Sequence, residues 1–311
     1  MESEPVPLLT STDGPPEHPA ARLRRMIEDP NAFILAPGVY DGFSARVALG
    51  VGFEALYMTG AGTTASRLGR ADLGLASLPD MVANASTLAS LSSTPLLADM
   101  DTGYGGPVAV ARSTEAYIRA GVAGLHIEDQ VAEKRCGHLG GKRVVGMGEW
   151  RARVRACVAA RRRAGSDIVI VARTDALQLL GYQSAVERLR VAREEGADMG
   201  FLEGVRNEGE MRQIVADMFP WPMVLNMVEH GVTPRVGRKK ARSIGFRMVI
   251  WPFATLGPAY LAMREGLEGL KREGEVRLPV ECGPRGIFEV CGLEEDIRVD
   301  EEAGGEAFRG V

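Results

Sequence analysis

Residues 126–142 read HIEDQVAEKRCGHLGGK and bring an acidic cluster, a basic pair and a thiol into one short stretch. A brief apolar run ends at Leu125 to Ile127 and gives way at once to Glu128, Asp129 and Gln130. That switch is expected where a buried parallel strand emerges at its C-terminal end. Lys134, Arg135, Cys136, Gly137 and His138 follow after a spacer, and then Gly140 and Gly141. A thiol flanked by two cations and an imidazole is in a setting that lowers its pKa, and the glycines let such a loop move. The stretch reads as a catalytic lid with Cys136, Lys134 and His138 as its reactive groups. Cys157, inside the helical pattern RARVRACVAARRR, reads instead as a small buried apolar residue.

Asp99-Met100-Asp101 offers a second chemistry. Carboxylates at i and i+2 share one face of a strand, here at its C-terminal end. With Glu128 from the next strand they form a three-carboxylate patch, strained by like-charge repulsion unless Mg²⁺ or Mn²⁺ sits in it. So few protein ligands suit Mg²⁺, which keeps several waters. The plain alternative is that these aspartates cap helices or pair with lysines. A zinc site is disfavoured because Cys136 and His138 lack partner ligands at a suitable spacing. The DTGYGG turn at 101–106 lacks the lysine of a P-loop and reads as backbone hugging the metal site. The turn at 59–62 is expected to offer backbone N–H groups to a substrate carboxylate.

These groups need a scaffold that gathers strand ends. Short apolar runs occur at 34–39, 55–59, 95–100, 124–127, 168–172, 199–202, 223–227 and 247–251. Helical patterns lie between them at 44–50, 78–92, 109–120, 148–164, 184–195, 207–217 and 236–244. Eight strands alternating with helices over this length predict an α/β fold, a (β/α)₈ TIM barrel, with an open doubly wound sheet as the alternative. The runs end in Tyr40-Asp41, Asp99 and Asp101, Glu128-Asp129, Arg173-Thr174-Asp175, Glu203, Asn226 and Trp251-Pro252. A closed barrel converges all of these on one mouth.

Three segments are expected: a disordered proline-rich arm with a lead-in helix (1–28), the barrel (29–274) and a helical extension (275–311). A long amphipathic helix at 256–273 carries Leu256, Tyr260, Met263, Leu267 and Leu270 on one stripe, and a final short helix is expected at 287–299. A helix beyond a complete barrel has no core of its own to cover, so it is expected to pack on a neighbouring subunit. The 311 residues carry a formal net charge of -4, which leaves no basic footprint for nucleic acid, and the local arginine clusters read as solvated helix faces. Four cysteines without zinc spacing suit a reducing compartment, and no run reaches membrane-span length. A soluble, cytoplasmic protein is expected.

YMTGAG (57–62), ADMDTGYG (98–105), HIEDQ with KRCGH (126–138) and VARTDA (171–176) resemble, in this order and spacing, the isocitrate lyase and phosphoenolpyruvate mutase superfamily. The resemblance spans 37–274 and implies a barrel whose last helix is swapped between partners in a dimer of dimers, a homotetramer. It implies that Asp99, Asp101 and Glu128 hold Mg²⁺, partly through water, with Asp72 near the substrate. Tyr57, Thr59, Gly60 and Ala61 would line the 2-oxo or 2-hydroxy acid end. Arg173 would clamp a carboxylate, with Glu203 and Asn226 orienting the other end and Gly137 and Pro252 completing the pocket. Thr59 replaces a serine common in the lyases and Ala61 a second glycine, which implies a slightly smaller pocket.

Phosphonomutases of this family lack the thiol, whereas the carbon–carbon lyases and hydrolases carry it. Bond cleavage beside a 2-hydroxy or 2-oxo acid leaves electrons on carbon, and a positioned acid must quench them. The resemblance therefore implies a Mg²⁺-dependent retro-aldol or retro-Claisen enzyme with Cys136 as general acid, acting on a small di- or tricarboxylate. Leu139 stands where a 2-methylisocitrate lyase often has arginine, which favours a dicarboxylate as in oxaloacetate acetylhydrolases and dimethylmalate lyases. The stretch IFEVCGLEEDIRVDEEAGG also resembles that group. A 2-methylisocitrate lyase, a phosphonopyruvate or phosphoenolpyruvate mutase-type enzyme and a non-catalytic scaffold are the alternatives.

Overall fold

The computed structural model describes residues 17–308 and 310; the expected arm falls almost wholly outside them. Eight strands, β1 (Ile34–Val39), β2 (Leu56–Met58), β3 (Leu96–Asp99), β4 (Gly124–Glu128), β5 (Val169–Thr174), β6 (Met199–Leu202), β7 (Met223–Asn226) and β8 (Met248–Trp251), are all parallel. They close into a barrel in sequence order, with β8 returning to β1 through the register Ile34↔Met248 to Pro37↔Trp251. The helices before and between them are α1 (Pro19–Glu28), α2 (Gly42–Gly50), α3 (Gly60–Leu68), α4 (Leu78–Ala89), α5 (Pro107–Arg119) and α6 (Met147–Arg163). Then come α7 (Leu177–Glu194), α8 (Glu208–Met218), α9 (Arg238–Ile244), α10 (Leu256–Glu273), α11 (Pro284–Val290) and α12 (Leu293–Glu302). The fold is a (β/α)₈ barrel.

The period of two along each strand sorts its residues into two cores. Val169 and Val171, Met199 and Phe201, Val224, and Met248 and Ile250 fill the barrel. Their neighbours Ile170 and Ala172, Leu225 and Val249 face outward under the helices, with Leu125, Ile127 and Met58. Continuing the inward parity by one step reaches Asp99, Glu128, Arg173, Glu203 and Asn226, which become the top layer. At the other end Leu23 and Ile27 of α1 join the interior cluster and plug the floor. Gly124 lacks a Cβ that would lie 3.0 Å from Leu23 Cδ2, so that helix seats closely. The basic clusters are not merely solvated faces: Arg24 and Arg161 both clamp Asp198, at 2.8 and 2.5 Å.

Four local expectations are corrected. The residues after β2 form a helix, α3, and not a turn, because the Thr59 hydroxyl accepts the Gly62 N–H (3.3 Å) and caps it. β3 ends at Asp99, and Asp101 lies beyond it with φ 47°, so the two carboxylates do not share a strand face. α7 starts earlier than expected, with a kink at Gly181 (φ 80°). The final helix is two helices, parted at Gly292, whose φ of 96° suits only glycine. α10 matches its expected span, and none of its residues is buried; Tyr260, Met263 and Leu267 are more than half exposed at 54, 58 and 65%. No helix among the described residues is long and apolar enough to cross a membrane.

Candidate active site

The top layer begins with a neutral pair. The Tyr57 hydroxyl meets His126 Nε2 at 2.9 Å, and Phe201 packs edge-on against the imidazole. Burial pushes the His126 pKa down to about 3, with the Arg173 charge working the same way, so the ring is uncharged at neutrality.

Beside it lie three buried carboxylates. Asp99 Oδ1 accepts the Asp101 N–H (2.8 Å), and the Asp99 carbonyl accepts the Tyr117 hydroxyl (2.7 Å). Gly60 must be glycine here, because a Cβ would collide with the Asp99 carboxylate. Burial raises the pKa of Asp99 and of Glu128, and pushes Asp101 up to about 6. The Lys134 ammonium partly offsets this: it contacts Asp72 Oδ1 at 2.6 Å and is ion-paired with Asp101. Burial works against that ammonium, but Asp101 and Asp72 outweigh it and hold the Lys134 pKa well above the usual. Asp101 is therefore ion-paired with a lysine as well as lying in the carboxylate cluster.

Arg173 faces this cluster. Its Nε lies 2.8 Å from Asp175 Oδ2 and 3.3 Å from Glu128 Oε2, and its Nη2 is 3.4 Å from Glu203 Oε2. The guanidinium also sits 5.1 Å above the Phe201 ring. Glu203 Oε2 accepts from Asn226 Nδ2 at 3.0 Å.

The loop after β4 closes over these groups. Its base is a short antiparallel ribbon pairing Gln130 with Val144. The Gln130 amide donates to Glu128 Oε1 and to the Arg135 carbonyl, both at 2.9 Å, and its oxygen accepts the Arg135 N–H (3.2 Å). The Cys136 N–H donates to the Asp72 carbonyl at 3.0 Å. His138 Nδ1 accepts the Val232 N–H (3.1 Å), which leaves the proton on Nε2, near Asn226 and 3.7 Å from Glu203 Oε1. Gly137, in the loop itself, fits against Arg173 and Glu203 only because it lacks a Cβ, which would lie 2.5 Å from Arg173 Nη2 and 2.6 Å from Glu203 Cγ.

The expected lowering of the Cys136 pKa is overturned. The thiol is half-buried, and burial pushes its pKa up, with the His138 backbone N–H offsetting only part. The two cations that flank it in sequence are spent elsewhere, Lys134 on Asp101 and Asp72, Arg135 on the Gly140 carbonyl. The thiol is held protonated, which suits an acid better than a nucleophile. Cys157 is fully buried with its pKa pushed up to about 12, as a packing residue should be.

Tyr57, Thr59, Ala61, Asp72, Asp99, Cys136, Gly137, His138, Arg173, Glu203, Asn226 and Pro252 line one small cavity of about 30 Å³, with Val228 and Phe253. Gly60 shapes Asp99 from behind, and Asp101, Glu128 and Lys134 adjoin it through their ion pairs. Sequence reasoning gave His126, Gln130 and Lys142 no role of their own and named Asp175 only as part of a polar strand end. Inward parity along β4 marks His126, whereas Gln130 and Lys142 have no local pattern to mark them.

Comparisons with known proteins identify the family. The family model described as phosphoenolpyruvate phosphomutase matches residues 23–271. A 2,3-dimethylmalate lyase of Eubacterium barkeri is 37% identical over 82% of this chain and 86% of its own length. A crystal structure of a 2,3-dimethylmalate lyase superposes with a TM-score of 0.93 at 57% identity, covering 95% of this chain and 99% of that one. An oxaloacetate acetylhydrolase bound to 3,3-difluorooxalacetate gives 0.92 at 54% identity, covering 94 and 99%. With these relatives, the acids, arginine and thiol at this barrel's mouth mark an enzyme of carbon–carbon bond cleavage. The chain belongs to the phosphoenolpyruvate mutase and isocitrate lyase superfamily, in its lyase branch.

Proposed function

We propose that this chain is a divalent-metal-dependent lyase that cleaves a small, alkyl-branched 2-hydroxy dicarboxylate by retro-aldol chemistry, with Cys136 as general acid. The observation that carries the reading is one cavity holding a protonated thiol, a fixed guanidinium and a buried carboxylate cluster. Arg173 supplies a forked donor for one substrate carboxylate. Ala61, Val228, Pro252 and Phe253 add walls whose side chains carry no hydrogen-bonding group, which suits methyl branches. The 57% identity to a 2,3-dimethylmalate lyase supports the same class.

Written for 2,3-dimethylmalate, the 2-hydroxyl passes its proton to a carboxylate that lines the cavity, and the C2–C3 bond breaks. C2 becomes the carbonyl of pyruvate, and the electron pair stays on C3. The Cys136 thiol delivers the proton that C3 needs, giving propionate, and regains one from solvent after the loop opens. Asn226 holds Glu203 through its side-chain amide, and Gln130 holds the loop over the substrate while water is excluded.

Asp99, Asp101 and Glu128 fit a hard cation: all three are buried, and Glu128 Oε2 accepts no hydrogen bond. Among the described residues no three acidic, histidine or cysteine side chains stand so that they could hold a metal ion by themselves. Mg²⁺, or Mn²⁺ in its place, would be held by fewer of these ligands together with several waters. When bound, it supplies Lewis-acid stabilisation of negative charge on substrate oxygens.

The exposed apolar stripe of α10 supports a homo-oligomer in which this helix packs on a neighbouring subunit, in a dimer of dimers. Light scattering of the wild type and Leu267→Glu tests this, with a smaller particle expected from the variant. Proton NMR of the Mg²⁺-loaded protein with 2,3-dimethylmalate, oxaloacetate and 2-methylisocitrate, each with an EDTA control, tests the activity. Propionate and pyruvate from the first, abolished by EDTA, are expected. Acetate from oxaloacetate alone would replace the lyase with a hydrolase, and turnover of none would sink the reading.

A further inference from the structure

Lys142 has no part in the chemistry above, yet its side chain is fully buried. An ammonium out of water must be well paired to be tolerated. Its Nζ donates to the Gly137 carbonyl at 2.6 Å and to Asp175 Oδ1 at 2.8 Å. Gly137 lies between Cys136 and His138 at the tip of the loop. Asp175 is the carboxylate that accepts from Arg173 Nε at 2.8 Å and from Nη2 at 3.2 Å. Lys142 itself sits at the base, where the Val131 N–H donates to the Arg143 carbonyl (3.0 Å) and the Val145 N–H to the Asp129 carbonyl (2.9 Å). One ammonium at the fixed end of the loop therefore joins the backbone that carries the thiol to the carboxylate that aims the guanidinium.

We infer that Lys142 is a positioning residue, a latch that holds the Cys136 loop shut and couples its closure to the orientation of Arg173 through Asp175. The inference deepens the proposed function, because it takes the cavity between Cys136 and Arg173 as the reacting site. When the loop lifts, the Gly137 carbonyl leaves the ammonium, which is then left with Asp175 alone. Asp175 is thereby drawn from Arg173 toward Lys142. Closing the loop returns the carboxylate to its shared position and sets the guanidinium at the moment the thiol arrives.

The test uses the chain's own cysteines and needs no turnover, so it stands or falls separately from the substrate assignment. Full-length protein is treated with iodoacetamide, and alkylation of each cysteine is followed by peptide mass spectrometry. In Lys142→Met the Cys136 rate is expected to rise about 10-fold or more, the factor matching loss of one charge-assisted hydrogen bond. Asp175→Asn is expected to raise it too, and the double variant no further than the larger single effect. Cys157, on the buried face of α6, is expected to stay unlabelled throughout, which separates opening of the loop from loosening of the barrel. Should Lys142→Met fail to fold, Lys142→Gln, whose amide still donates to one partner, is read in the same way. An unchanged Cys136 rate overturns the latch, as does a rise accompanied by labelling of Cys157. Additive effects of the two substitutions overturn the coupling to Arg173.

Discussion

Gly137→Ala isolates loop closure from everything else in the site. The added methyl would lie 2.5 Å from Arg173 Nη2, 2.6 Å from Glu203 Cγ and 2.7 Å from Glu203 Cδ. Ordinary contacts begin about 1 Å farther out. Neither neighbour yields cheaply, since Arg173 is held by Asp175 at 2.8 Å and Glu203 by Asn226 at 3.0 Å. The loop must therefore ride higher, at roughly the 1–3 kcal/mol that overpacking costs. That predicts a loss of roughly 5- to 150-fold in kcat/KM. The melting temperature should hold within about 1 °C, because lifting a loop leaves the barrel core intact. Gly140→Ala is the control: it lies in the same loop, and a Cβ there meets nothing within 4 Å. Steady-state kinetics on the substrate found by NMR, with calorimetry alongside, decide the matter. Full activity in Gly137→Ala, or an equal loss in Gly140→Ala, would falsify the claim that the glycine exists to let the loop close.

Cys136→Ser keeps the shape but replaces the thiol with a far weaker acid, and kcat should fall about 10²- to 10⁴-fold with KM little changed; an unchanged kcat would end its role as acid. His126, with its pKa at about 3 in the folded chain against 6.5 when free, binds its proton mainly on unfolding. Its contribution to stability is thus complete above about pH 6.5 and is lost as the pH falls toward 3, at about 2 kcal/mol between 6.5 and 4.5. Asp99, Asp101 and Glu128, with raised values, act in the opposite sense, so the readout is the difference in urea midpoints between wild type and His126→Gln across that range. A pH-independent difference would mean that His126 is not buried neutral. Because Asp101 is pushed up to about 6, protons should compete with the cation below that pH, weakening Mn²⁺ affinity by up to about tenfold per pH unit. Titration by electron paramagnetic resonance checks this, and a flat affinity from pH 7 to 5 would remove Asp101 from the ligand set.

The barrel was legible because strand period and strand count are written in the apolar residues themselves, and parity then aims Glu128, Arg173, Glu203 and Asn226 at one mouth. Asp101 broke that logic, since a left-handed residue just past β3 leaves no mark in a pattern of apolar spacing. The Thr59 hydroxyl turned an expected loop into the first turn of α3, a capping choice that a run of glycines disguised. The sign of the Cys136 shift was misjudged because nearness in sequence was taken for nearness in space, and Lys134 had stronger claimants in Asp72 and Asp101. Lys142 and Asp175 lie 33 positions apart, and nothing short of the folded loop brings them together.

With the barrel interior filled by side chains above Leu23 and Ile27, the cavity under the Cys136 loop is a vessel closed from below. Whatever enters or leaves the top layer passes the loop that carries Cys136. A proton handed to the product from a shut vessel comes from the stock inside, and bulk water restores that stock only between turnovers. In heavy water the product should therefore record, in its isotope content, the solvent in which the loop last opened, not the solvent present when the bond broke.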